Sequence, residues 1–320
     1  MEENSMPLQS LLRAKLQKPR VDQTLVARPD LVQRIQASTH GDVTLIVAPA
    51  GYGKTTLVTQ WAAEAELPVA WFSIDEADND LVVFLSYIAA AIQSLYPDAC
   101  PNLLGQLDRA PLPDVTRLAV TLSNEVDALQ QRIALVLEDY HWITDPDIQH
   151  VLNEFLRHPV RNVHLVVTSR SQPALALPRL RTNHRLSELH LQDLRLTEIE
   201  AAALLAQRSA IALTTDEVTA LVERTEGWAA GLHLAALSLG VTHGIDVYST
   251  DYLLEQVLQQ QTPVVRDFLL KTSILERLSP ELAAAVTGSD HNSTGITLPG
   301  LASKGLFLQA AGWDNDGSAT

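Results

Sequence analysis

Six residues in a row have the types and spacing that phosphate binding requires: Gly51-Tyr52-Gly53-Lys54-Thr55-Thr56. Gly51 and Gly53 can adopt backbone angles that aim successive N–H groups into one concavity. The side chain of Lys54 then reaches the β- and γ-phosphates of a nucleotide, and the Thr55 hydroxyl is a ligand for Mg²⁺. Ala50, Tyr52 and Thr56 complete the loop. The residue where such loops usually begin with Gly is Ala48, which fits as long as its φ stays negative. The loop must follow a strand and open a helix, because the helix N-terminus brings its positive dipole end to the phosphate. The sequence supplies both. Val43-Thr44-Leu45-Ile46-Val47 is a short β-branched run, and Leu57, Val58, Trp61 and Ala62 recur at helical spacing.

Two further strand ends carry candidate chemistry. Ile133 to Leu137 is a continuous apolar run that stops at Glu138-Asp139. A carboxylate at such a place binds Mg²⁺, and an acid beside it orients or deprotonates an attacking water. Which of Glu138 and Asp139 takes which task is open from the sequence. Val163 to Thr168 is a second buried run and stops at Ser169-Arg170. An arginine there can sense the γ-phosphate and stabilise transition-state charge. The acids Asp75, Glu76, Asp78 and Asp80 lack the glycine and the distant glutamate of a calcium loop, so they read as a solvated loop. His141 has no partner at metal-ligand spacing and reads as structural or supporting, and the ten histidines form no cluster.

The elements that must hold these residues follow from the hydrophobic pattern. Residues 1–20 read as a flexible polar lead-in. Pro29 opens a helix with Leu31, Val32 and Ile35 inward. Pro68 to Ile74 is a second buried strand, and Leu81, Phe84, Leu85, Ile88 and Ile92 share a helical face. Pro97, Pro101, Pro111 and Pro113 mark an irregular connection. Residues 114–130 are helical, Asp145-Pro146 starts another helix, and Leu186 to Leu191 partly alternates as a further strand. Strands that alternate with helices, with continuous rather than alternating hydrophobicity, predict an α/β fold with a parallel three-layer sheet. From Thr197, an expected helix cap, the pattern is helical over 197–208, 215–225 and 228–240, with a second helical set over about 247–288. Residues 289–320 are rich in Gly, Ser, Asn and Asp.

Composition bounds the function. The chain has 320 residues, 46% of them hydrophobic, which suffices for a large core. Its formal net charge of −15 and the lack of a basic stripe argue against direct DNA binding. Cys100 is the single cysteine, with no activating base nearby, and is expected in a loop or in the core of a protein from a reducing compartment. No run is long enough for a membrane span and no signal peptide is evident, so the expectation is a cytoplasmic protein.

Thr44 to Thr56 resembles the phosphate loop of the STAND ATPases that regulate maltose genes, which are large LuxR-type transcriptional regulators. The resemblance extends in order through Lys15-Leu16-Gln17-Lys18-Pro19-Arg20, Val26-Ala27-Arg28, Trp71 to Asp80, Leu135 to His141, Thr168-Ser169-Arg170, Asp193 to Thr197, Thr225 to Leu232 and Phe268 to Leu275. It implies a P-loop NTPase sheet followed by a helical domain and a partial winged-helix domain. The expected divisions are an N-terminal arm at 1–40, a nucleotide-binding domain at 41–192, a helical domain at 193–245 and the winged-helix portion at 246–320. It further implies ATP and ADP with Mg²⁺ as ligands, and Val26 and Arg28 near the adenine. It also implies an ADP-closed to ATP-open transition, slow hydrolysis, and self-association or assembly with a homologous regulator. From Ser289 onward the pattern is followed poorly, and the family's sensor repeats and DNA-reading helix-turn-helix have no counterpart here. The chain is therefore expected to be the ATPase portion of a regulator, truncated or stand-alone. A non-catalytic partner of a full-length homologue is the competing expectation.

Overall fold

Residues 11–20, 25–159, 161–208, 213–240, 262–272 and 285–287 are described by the computed structural model. They include five strands: β1 (Val43–Val47), β2 (Val69–Ser73), β3 (Ile133–Glu138), β4 (Val163–Ser169) and β5 (Leu186–Leu189). Their order in the sheet is β2-β3-β4-β1-β5, and every neighbouring pair is parallel. β1, which feeds the phosphate loop, is paired on both sides, with Val43 opposite Leu165 and Leu186. Every residue of β3 and β4 is buried. Strands buried on both faces explain why their sequences are continuously apolar, and they make the predicted layered α/β fold the observed one.

The chain divides into two compact units. The first is Met1–Ala48 with Gly53–Leu196, and the second is Pro49–Tyr52 with Thr197–Thr320. In the first unit, helices α1 (Pro29–Ser38), α2 (Lys54–Glu64), α3 (Leu81–Gln93), α4 (Pro101–Leu107), α5 (Val115–Asp127), α6 (Pro146–Phe155), α7 (Leu177–Thr182) and α8 (Leu191–Leu194) accompany the sheet. Their starts are chemically marked. Asp80 accepts from the N–H groups of Val82 and Val83 at the head of α3, and Asp145 does the same for Asp147 and Ile148 at the head of α6. Pro29, Pro101 and Pro146 occupy first-turn positions, where a missing N–H costs nothing. The core is one cluster that runs from Leu11 to Leu180 and joins Phe72, Phe84, Ile88, Leu135 and Val167.

Three expectations are corrected here. The proline-marked connection contains a helix, α4, because Pro101 starts it and Cys100, at φ 59°, turns the chain into it. Residues 11–20 are not a loose lead-in: Arg13–Leu16 forms a 3-10 turn, Leu11 is buried, and the N–H of Leu12 donates to the Tyr87 hydroxyl. The acidic loop is not merely solvated either. Lys15 Nζ donates to both oxygens of Asp78, at 2.8 and 2.7 Å, and lies 2.7 Å from Asp75. Asp78 also accepts from the N–H of Asp75 and is 1% exposed. A buried carboxylate needs such partners, and the cation that supplies them lies 63 residues away. Cys100 is buried as expected, and burial pushes its thiol up to about 12.

In the second unit, α9 (Glu198–Arg208), α10 (Thr215–Thr225) and α11 (Ala229–Gly240) pack on one another. They match the three predicted helices within a residue at each end. The Thr197 cap is also present: its N–H donates to Glu200, whose own N–H donates back to the Thr197 hydroxyl. α12 (Pro263–Thr272) and the helical residues 285–287 are described within the later helical set, and most of the remainder of that set, with the expected 289–320 tail, lies outside the described residues. Among the described residues, no helix is long and apolar enough to cross a membrane.

Candidate functional site

β1 ends at Val47 and α2 starts at Lys54, so the expected loop is the strand-to-helix turn between them. Gly51 has φ 81° and Gly53 φ 78°, the left-handed angles that glycine adopts without strain. Gly53 is the residue just before α2, where free N–H groups and the helix dipole favour an anion. Lys54 is 7% exposed, and its Nζ donates to the Ala48 carbonyl at 2.7 Å. Burial pulls its ammonium down to about 8. The charge of Arg170 acts in the same direction, while Asp139 and Glu138 oppose both. Glu138, Asp139 and Arg170 therefore all lie within electrostatic reach of Lys54. Thr55 and Thr56 occupy the first turn of α2.

Glu138 is the last residue of β3 and is 7% exposed. Its Oε2 accepts from Ser73 Oγ at 2.7 Å and from Trp71 Nε1 at 3.1 Å. Both donors sit on β2, whose register brings Ser73 opposite Glu138. Asp139 follows at φ 57°, unusual for a residue with a Cβ, and its N–H donates to Thr168 Oγ1 at 3.0 Å. Burial holds the Asp139 carboxyl above the usual carboxylate range, with Lys54 opposing. A 3-10 turn, Tyr140–Trp142, comes next. His141 within it has a side chain 12% exposed, with Nδ1 3.6 Å from Asp139 Oδ1. Burial, then the charges of Arg170 and Lys54, pull its imidazole down to about 3. Neither ring nitrogen has a hydrogen-bond partner among the described residues.

Val26 and Arg28 are held by a residue the sequence reading passed over. Gln60 on α2 donates through Nε2 to the Val26 carbonyl at 2.7 Å, and its Oε1 accepts from the Arg28 N–H at 3.3 Å. The Arg28 guanidinium is 8% exposed and donates to the carbonyls of Asp193, Leu194 and Arg195, at the end of α8. A cation on the last carbonyls of a helix is favourable. It also directs this side chain to the backbone of residues 193–195.

Within the second unit, Ala50 and Gly51 meet the start of α11. Trp228 Nε1 donates to the Ala50 carbonyl and the Ala230 N–H to the Gly51 carbonyl, each at 3.0 Å. The second bond satisfies one of the N–H groups that a helix start leaves open. Tyr52, 9% exposed, belongs to the same unit.

The donors available for a cation are the Thr55 hydroxyl and the carboxylates of Glu138 and Asp139, all hard oxygens. No group of three or more His, Cys, Asp or Glu that could hold a metal by itself occurs among the described residues. That combination fits Mg²⁺, which is held by one or two carboxylates together with phosphate oxygens and water rather than by an all-protein cage.

Comparison with known proteins agrees with this architecture. A family model described as "AAA ATPase domain" matches residues 28–168, and one described as "MalT winged helix domain" matches residues 254–317. The second match runs on past Ser289, where the sequence resemblance weakens. The HTH-type transcriptional regulators MalT from two strains of Klebsiella pneumoniae are each 34% identical over 312 residues. The alignment spans 93% of this chain but 34% of theirs, so the chain spans about a third of the length of these relatives. Among solved structures, the Walker-type ATPase of Pyrococcus abyssi superposes with a TM-score of 0.56 at 14% identity, over 89% of this chain and 90% of that one. A Pyrococcus horikoshii signal transduction ATPase with numerous domains and a tetratricopeptide repeat sensor gives 0.51 at 18% identity, over 91% and 40%.

Proposed function

We propose that this chain, which is MalT-like across its AAA ATPase and winged-helix portions, is the ATP-binding switch module of a LuxR-type transcriptional regulator. The observation that carries this reading is the buried ammonium of Lys54 at the head of α2, with the charges of Asp139, Arg170 and Glu138 converging on it. A buried cation with that company is matched to a polyphosphate, whose negative charge offsets the cost of its burial.

In this reading the N–H groups around Gly51 and Gly53, with Lys54, hold the β- and γ-phosphates. Thr55 and Glu138 hold Mg²⁺. Glu138 suits that task because Ser73 and Trp71 fix the carboxylate through one oxygen. The cation, when bound, neutralises phosphate charge. Asp139 orients and deprotonates the attacking water, since burial raises its proton affinity above that of an ordinary aspartate. Arg170 meets the charge that develops on the transferred phosphoryl group. With the Arg28 guanidinium committed to residues 193–195, the arm meets the adenine through the apolar side chain of Val26. Slow hydrolysis returns an ATP-bound, self-associating form to a closed ADP form, a two-state element biased by its nucleotide.

Fluorescent ATP titrated into the wild type and into Lys54→Ala tests the reading. Binding by the wild type, with loss of at least about tenfold in the variant, is the expected outcome. Equal binding by both overturns it. Light scattering with ADP and then ATP, at equal protein concentration, reads the assembly step as a rise in mass with ATP alone.

A further inference from the structure

We infer that Ser73 and Trp71 determine which cation the nucleotide site accepts: by holding one oxygen of Glu138 they leave only the other to meet a metal, and so favour Mg²⁺ over Ca²⁺. The inference rests on the reading of Glu138 as a ligand of the cation that accompanies ATP.

The direction of each hydrogen bond follows from the groups themselves. An indole N–H can only donate and a carboxylate can only accept. Trp71 Nε1 lies 2.9 Å from Ser73 Oγ and 3.1 Å from Glu138 Oε2. Its one proton is therefore shared between those two oxygens. The hydroxyl proton of Ser73 is left for Glu138 Oε2, 2.7 Å away. Oε2 thus accepts twice, while Oε1 accepts from no group among the described residues. The triangle is firmly held. Trp71 is 2% exposed and Glu138 7%, so a buried indole N–H and a buried carboxylate satisfy each other. Trp71 and Ser73 are two residues apart and share one face of β2, whose parallel register pairs Ser73 with Glu138.

A carboxylate pinned through Oε2 offers a metal Oε1 alone. Mg²⁺ suits that offer, because it takes one or two carboxylates and fills the rest of a strict octahedron with phosphate oxygens and water. Ca²⁺ takes about 6–8 oxygens and gains from a flexible carboxylate that gives both of its own. Ser73 and Trp71 withhold the second oxygen and keep the group from swinging toward the larger ion. Selectivity then resides in two side chains on β2 that touch neither nucleotide nor metal.

The test titrates fluorescent ATP into the whole chain in Mg²⁺, in Ca²⁺ and in EDTA. The wild type should bind more tightly with Mg²⁺ than with Ca²⁺. Ser73→Ala and Trp71→Phe should narrow that preference about tenfold, chiefly through weaker binding in Mg²⁺. Ser73→Thr keeps the hydroxyl and should keep the preference. Binding in EDTA should match wild type in all three. An unchanged preference in Ser73→Ala, with Glu138→Gln shifting it, overturns the inference and leaves Glu138 standing as a ligand. Equal weakening in all three solutions also overturns it, since that marks a packing role. Should Trp71→Phe fail to fold, because it empties space in the core, Ser73→Ala alone decides. A wild type indifferent to the two cations overturns the inference outright. A wild-type preference retained by Glu138→Gln removes the ligand reading, and the inference falls with it, whereas Lys54→Ala tests ATP binding separately.

Discussion

Gly51 and Gly53 look alike in sequence and have nearly the same φ, yet their surroundings differ. A Cβ on Gly51 would stand 2.5 Å from Trp228 Nε1 and 2.7 Å from Ala230 Cβ, whereas a Cβ on Gly53 would meet nothing within 4 Å. Gly53→Ala should therefore cost only the left-handed backbone penalty, about 1–2 kcal/mol. Gly51→Ala adds a clash and should cost about 1–3 kcal/mol more. Urea unfolding of the two variants measures the difference, and equal midpoints would contradict the role assigned to Trp228 and Ala230. The residues of the phosphate loop were legible because their chemistry is written in adjacent positions. Trp228 was legible only as part of a family signature, since its hydrogen bond to Ala50 spans 178 residues and no local pattern encodes it. Gln60 was hidden for a similar reason: a polar residue on an otherwise ordinary helix gives no sign that its amide is paired with Val26 and Arg28.

At the scale of elements, the sheet contains a buried polar crossing that no periodicity marks. His164 on β4 is 0% exposed, and burial pulls its imidazole down to about 4. Nδ1 donates to the Gly41 carbonyl at 2.9 Å, so Nε2 accepts from the hydroxyl of Thr44 on β1, also at 2.9 Å. Between pH 6.5 and 4 the unfolded chain binds this proton and the folded chain does not. The neutral ring's contribution is therefore complete above pH 6.5 and is lost as the pH falls toward 4, at most about 3 kcal/mol from this single group. The slope of unfolding free energy against pH should flatten over that range in His164→Asn, and an unchanged slope would contradict the assignment. The strands themselves were read correctly from sequence because burial on both faces leaves an unbroken apolar run. The errors fell where a distant partner decides the local structure, as Lys15 does for Asp75 and Asp78, or where proline was taken to break order although Pro101 begins α4.

Across the whole molecule, the first compact unit ends at Leu196. Its last residues are structural, because Arg28 uses the carbonyls of Asp193, Leu194 and Arg195. A fragment comprising residues 1–196 should unfold cooperatively on its own. One ending at residue 192 should be less stable by about 2–4 kcal/mol, since it removes three carbonyl acceptors from a buried guanidinium. Thermal melts of the two fragments compare them directly, and identical stability would refute the assignment. The strand order has a further consequence, for synthesis rather than stability. β1 emerges early, but both of its neighbours, β4 and β5, are encoded more than a hundred residues later. At the ribosome's pace of about 5–20 residues per second, the ribbon that will carry the phosphate loop waits on the order of ten seconds for either edge to be covered. During that interval it is an unpaired apolar β-branched segment, the kind of surface that chaperones bind and that aggregates form on. The place of β1 between two late-made strands of the finished sheet thus makes it the most exposed strand of the nascent chain.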